Sequence, residues 1–79
     1  MTAPKVVKTF AGFRIEADGE WQKHPCYRIV VGSYIIGYVL WWREYVFRVA
    51  ADAAGCSWEC EDLENIVGFL KELNKESKP

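Results

Sequence analysis

Between Lys5 and Ala17 the residues suit a strand, most clearly where Phe13, Ile15 and Ala17 alternate with Arg14 and Glu16, with a break near Ala11 and Gly12. Asp18-Gly19 reads as a turn and Glu20 to His24 as a polar loop. Pro25 denies the next strand an N–H at its entrance. That second strand runs from about Cys26 to Val31, and Gly32-Ser33 predicts a type II′ hairpin, because glycine suits its first central position. A third strand, Tyr34 to Trp41, and a fourth, Glu44 to Ala50, follow, joined by a short turn at Trp42-Arg43. Those two residues are not natural type I′ formers, so a loop one or two residues longer stays open.

A tight turn at Gly32-Ser33 would set Val31 against Tyr34, Ile29 against Ile36 and Tyr27 against Tyr38. One sheet face then carries Tyr27, Ile29, Val31, Tyr34, Ile36, Tyr38, Leu40, Tyr45, Phe47 and Val49, with no charge. The other carries Cys26, Arg28, Val30, Ile35, Gly37, Val39, Trp41, Glu44, Val46 and Arg48. Ser57 suits a helix N-cap, with Glu59, Glu61 and Asp62 where the helix dipole favours anions. Leu63, Ile66, Val67, Leu70 and Leu73 follow helical spacing, Cys60 extends the stripe at its start, and the helix should end near Asn74. The expected architecture is α+β: one domain over residues 1–79, an antiparallel four-stranded β-meander with one C-terminal helix packed across its uncharged face, ββββα.

Composition changes this picture in two ways. A 79-residue chain gives a thin core, and four Trp, four Tyr and four Phe supply the bulk to fill it. Charge is uneven: residues 1–50 hold seven Lys/Arg against four Asp/Glu, and residues 51–79 hold three against seven. The uncharged run Ile29–Trp42 is shorter than the ~20 residues of a membrane span, and Met1–Lys8 contains no apolar signal core. With an odd number of cysteines, three, the expectation is a cytoplasmic protein with reduced thiols.

No cofactor is expected. Cys56 with Cys60 and His24 with Cys26 supply four zinc-capable side chains, but the spacing is not that of a zinc knuckle, and opposed faces would keep them apart. Catalysis is not expected either, since the single His has no nucleophile signature beside it and no Gly-rich phosphate loop occurs. Two binding classes remain. Arg28 and Arg48 with Trp41 on one face would give a nucleic-acid module a basic, aromatic platform. Trp41, Trp42, Arg43 and Glu44 at a hairpin end are instead the residue types of protein interface hot spots, and this protein-binding reading is preferred. Trp58 and Phe69 flank the helix stripe. An edge strand and an exposed thiol, Cys56 above all, allow a monomer or a weak homodimer.

The segment GYVLWWREYVFRVAADAAGCSWECEDLENIVGFLKELNK, residues 37–75, resembles small phage and mobile-element proteins that end in a strand pair and an FLKELN-type helix, among them the anti-CRISPR inhibitors. This resemblance implies a protein that binds a bacterial CRISPR effector, such as a type I surveillance complex (Cascade), in the host cytosol and blocks target DNA binding or nuclease recruitment. Asp52, Glu59, Glu61, Asp62 and Glu64 lie in a stretch without positive charge between Val49 and Leu70, and could occupy a basic surface that DNA would otherwise use.

Overall fold

The computed structural model describes residues 5–51 and 57–77. Five strands form one antiparallel sheet in the order β1 (Val6–Thr9), β2 (Arg14–Trp21), β3 (His24–Val31), β4 (Tyr34–Trp41) and β5 (Tyr45–Val49), and one helix follows, α1 (Cys60–Ser77). The α+β class and the meander order match the sequence pattern, but there are five strands, not four. The break at Ala11-Gly12 is a complete reversal, with Thr9 opposite Arg14 and Lys8 opposite Ile15, so the expected first strand is a hairpin.

Two further turns differ from expectation. Asp18-Gly19 is not a turn but an irregularity inside β2, where the register shifts between Ala17 and Glu20 and Gly19 takes a φ of 81°. The reversal comes at Gln22-Lys23, both at positive φ (52° and 68°), between the paired Trp21 and His24. Two consecutive left-handed residues define a type I′ hairpin, here made without the usual Asn or Gly. Gly32, at φ 61°, opens the β3–β4 turn as its sequence predicts, and Val31 does face Tyr34.

One residue beyond that turn, the register departs from the tight pattern. Val30 pairs with Ile35 but Ile29 pairs with Gly37, leaving Ile36 as the extra residue of a β-bulge. Every later residue of β4 therefore faces the other way: Val39 lies opposite Tyr27, and Tyr38 opposite Arg28. Two rows cross the helix-covered face, Ile15–Ile29–Gly37–Val49 and Ala17–Tyr27–Val39–Phe47. Val39 and Trp41, expected outside, belong to the inner face, while Tyr38 and Leu40, expected inside, go outside. Gly37 permits the exchange, since a Cβ there would stand 2.5 Å from the Phe47 ring.

The helix lies over the uncharged face, as expected, but rolled. Ile66 and Phe69 are buried with Phe13, Ile15, Ile29, Val39 and Tyr45, and Leu70 and Leu73 pack partly against them. Leu63 and Val67, assigned to the core by spacing, are 42% and 46% exposed, and Cys60 is exposed too. Phe69 causes the roll: its ring packs edge-on to Tyr27 at 5.2 Å, and a buried aromatic outweighs the smaller Val67 in choosing which flank faces the sheet. Glu59, not Ser57, stands at the helix entrance, with its carbonyl accepting from the Leu63 N–H at 3.1 Å. The helix continues past Asn74 to Ser77. Near that end the Asn74 amide grips Tyr45: its Oδ1 accepts the Tyr45 N–H at 2.7 Å and its Nδ2 donates to the Tyr45 carbonyl at 3.3 Å.

Phe69→Ala should cost about 3–5 kcal/mol, enough to unfold a domain of this size, whereas Leu63→Ala should cost about 1 kcal/mol or less. Chemical denaturation of both variants checks the roll; equal losses would contradict it. Gly68→Ala should raise stability by ~1 kcal/mol, because a Cβ there meets nothing within 4 Å on an exposed helical turn. The readout is an upward shift in denaturation midpoint at unchanged slope.

Candidate functional site

Three aromatic residues build the far end of the sheet. Trp41, the last residue of β4, pairs with Tyr45 and stacks on His24 with ring centroids 4.0 Å apart and planes 16° from parallel. Tyr45 meets the Trp41 ring edge-on at 5.3 Å. Trp41 is thereby part of the packed structure rather than a free surface group. Beyond it, Trp42, Arg43 and Glu44 form a three-residue loop closed by a 2.8 Å hydrogen bond from the Trp42 N–H to the Glu44 carbonyl. Trp42 is 61% exposed, and Arg43 takes a φ of 70°.

Among the described residues, the three non-glycine residues at positive φ, Gln22, Lys23 and Arg43, are in the two hairpin tips at this end. Left-handed backbone costs such residues roughly 1 kcal/mol or more each, and is kept where surrounding packing over-determines it. The His24–Trp41 stack ties the two tips together. This end presents an exposed indole, a guanidinium and a lysine on stiff turns, with the carboxylate of Glu44 beside them.

The acidic residues predicted to share the interface lie elsewhere. Glu59, Glu61 and Glu64 are exposed at the helix start, Asp62 is half-buried there, and Asp52 falls outside the described residues. Asn74, bound to Tyr45 next to the loop, is fourteen residues from Cys60, about 21 Å along the helix axis. The candidate residues form two patches at opposite ends of the helix.

The uncovered face carries a third arrangement. Across it runs the row Glu16–Arg28–Tyr38–Arg48. Glu16 is buried under two arginines: its Oε2 accepts from Arg14 Nε at 2.6 Å and its Oε1 from Arg28 Nε at 2.8 Å, and Arg28 also lies 3.7 Å from Asp18. Hydrogen bonds from Arg14, then Arg28, hold the Glu16 carboxyl below the ordinary carboxylate value. Arg28 is thus committed to carboxylates and Trp41 faces the helix side. The Arg28, Arg48 and Trp41 platform expected for nucleic acid is not assembled on one face. Beside this row an open groove of about 830 Å³ is lined by Trp21, Tyr34, Tyr38, Leu40 and Arg48, with Asp18 and Glu20 at its rim.

Cys26 and Cys60 are both free thiols. Cys26 is buried and donates to the Asp18 carbonyl at 3.0 Å; burial, then the Asp18 and Glu20 charges, pushes its thiol up. Cys60 donates to Glu64 Oε1 at 3.4 Å, and that carboxylate raises its thiol as well. Cys56 lies outside the described residues. Among the described residues no three His, Cys, Asp or Glu side chains converge as metal ligands, and no helix is long and apolar enough to cross a membrane.

Sequence reasoning missed Glu16 as the hub of the open face, although Arg14, Glu16 and Arg28 on neighbouring strands were a usable signal. Because the folded-state value of Glu16 is lowered, its contribution to stability is complete above the ordinary carboxylate value of 4.5 and is lost as pH falls through the lower folded value. Glu16→Gln should therefore be less stable than the parent at pH 7, and the two denaturation midpoints should converge on acidification. A difference independent of pH would refute this.

The chain matches no family model, and no curated protein or solved structure matches it.

Proposed function

We propose that this is a non-catalytic protein-binding inhibitor of the anti-CRISPR type, acting in the bacterial cytoplasm on a CRISPR effector such as a type I surveillance complex and blocking its access to target DNA. The observation that carries the reading is the hairpin end, where Trp42 projects beside Arg43 from a loop braced by the Trp41–His24–Tyr45 stack. An aromatic held on a stiff turn loses little side-chain freedom on docking, which is how a few residues come to dominate an interface.

The second patch suits a different part in the same encounter. Glu59, just before α1, and Glu61 and Glu64 on its first turns are exposed without a cation among them, and a basic nucleic-acid channel would attract them. Two patches about 20 Å apart fit within an interface of ordinary size. The sheet face that could have served a nucleic-acid module has most of its positive charge neutralised by Glu16 and Asp18.

The test is surface-based binding to a purified type I surveillance complex over a range of salt concentrations. Trp42→Ala should mainly raise the dissociation rate, by about 30-fold if the residue contributes ~2 kcal/mol. Reversing Glu59, Glu61 and Glu64 to Lys should lower the association rate and flatten its salt dependence. Both variants should keep the parent's circular dichroism, because these side chains are exposed. Binding equal to the parent's in both would contradict the reading. So would a parent that ignores the complex yet retains labelled single-stranded DNA.

A further inference from the structure

Where the helix start meets the sheet, a cleft of about 380 Å³ opens between α1 and the turns before β2 and β4. Its walls are the rings of Phe13, Tyr34 and Trp58 with Ile36, and Gly12 and Asp62 close one side. We propose that this cleft receives an arginine side chain of a partner protein, an inference that rests on the protein-binding reading above and names the chemistry of a second contact.

Three properties of the cleft select that ligand. Its volume falls within the range of about 300–1,000 Å³ typical of binding pockets, and is ample for one long side chain. Aromatic faces attract a cation, and a planar guanidinium can both stack on a ring and offer paired N–H groups to a carboxylate. Asp62 supplies that carboxylate: among the described residues no Lys or Arg lines the cleft and Asp62 makes no salt bridge. The intervening residues 52–56 contain no Lys or Arg either.

Two of the three aromatic walls are braced within the chain. Trp58 is braced edge-on against Phe47 at 5.2 Å, and Phe13 lies against Phe10 at 4.9 Å. Gly12 lets Asp62 lie close, since a Cβ there would stand 3.1 Å from its Oδ1. The positive end of the helix, worth about half a charge, opposes a cation here. Glu59, Glu61, Asp62 and Glu64 together outweigh it.

Nuclear magnetic resonance titration of the full chain tests this, following the Trp58 indole N–H and the Gly12 amide. The probes are a capped Ala-Arg-Ala peptide, the same peptide with neutral citrulline in place of arginine, and methylguanidinium. The arginine peptide should shift both resonances saturably, and the citrulline peptide should bind at least tenfold more weakly. Asp62→Asn should weaken the arginine peptide by about tenfold, the scale of a charge-assisted hydrogen bond. Tyr34→Ala should weaken it by about threefold. Tyr34 is 76% exposed, so that variant carries no folding burden. Equal binding of the two peptides, an unchanged affinity in Asp62→Asn, or shifts confined to the open sheet face would overturn the proposal. Methylguanidinium binding as tightly as the peptide would overturn the protein partner as the source. No effector complex enters this experiment, so a failure here leaves the hairpin contact standing, and a failure of the effector assay leaves the cleft's selectivity measurable.

Discussion

The contact on which the rest depends is that of Phe47 with the missing side chain of Gly37. With no Cβ on β4 at that point, the Phe47 ring lies across the strand, and Ile36 and Gly37 together occupy the place of one residue opposite Ile29. The bulge keeps Ile36 directed toward the core while bringing Val39 and Trp41 to the same side, something a regular strand with this sequence cannot do. The Ile36 carbonyl is not left without a partner: it accepts from the Ala50 N–H at 3.0 Å. Trp41 reaches His24 and Tyr45 only because of this inversion, so the geometry of the hairpin end is a consequence of one glycine four residues earlier in the chain.

What could be read from the sequence was whatever depends on local composition. Strand order, the Gly32 turn, the position of the helix and its choice of the uncharged face all follow from alternation, turn chemistry and the expense of burying arginine. The faces of β4 did not follow, because alternation counts residues and a bulge breaks the count. Gly37 and Gly19, each inside a strand, were the available signals of such irregularity. Gln22-Lys23 had no signal at all, since nothing local favours left-handed backbone for those residues and only the pairing of Trp21 with His24 imposes it. The roll of the helix was hidden for a related reason: spacing put Val67 in the core stripe and Phe69 on its flank, and ring packing on Tyr27 reversed the two.

The candidate site was legible as a set of residue types and not as a place. Trp42, Arg43 and Glu44 stand together because one loop contains them, whereas Trp41 turned inward and Asp62 turned toward a cleft formed partly by Gly12 and Tyr34. Proximity across elements depends on register, and the register depended on the bulge. The sheet's open face shows the same limit in reverse: Arg14 and Arg28 look like free positive charge in the sequence, yet both meet Glu16.

The grip of Asn74 on Tyr45 reaches beyond local stability. β5 is an outermost strand, and Tyr45 offers an unpaired N–H and carbonyl of the kind that a neighbouring chain could extend into a continuous ladder. The amide of Asn74 satisfies both groups at once, imitating one residue of a sixth strand that is never built. The last turns of α1 therefore cap this edge at Tyr45, one of the positions where another strand would pair. A chain shortened by proteolysis just before Asn74 could keep most of its core contacts and still lose its solubility.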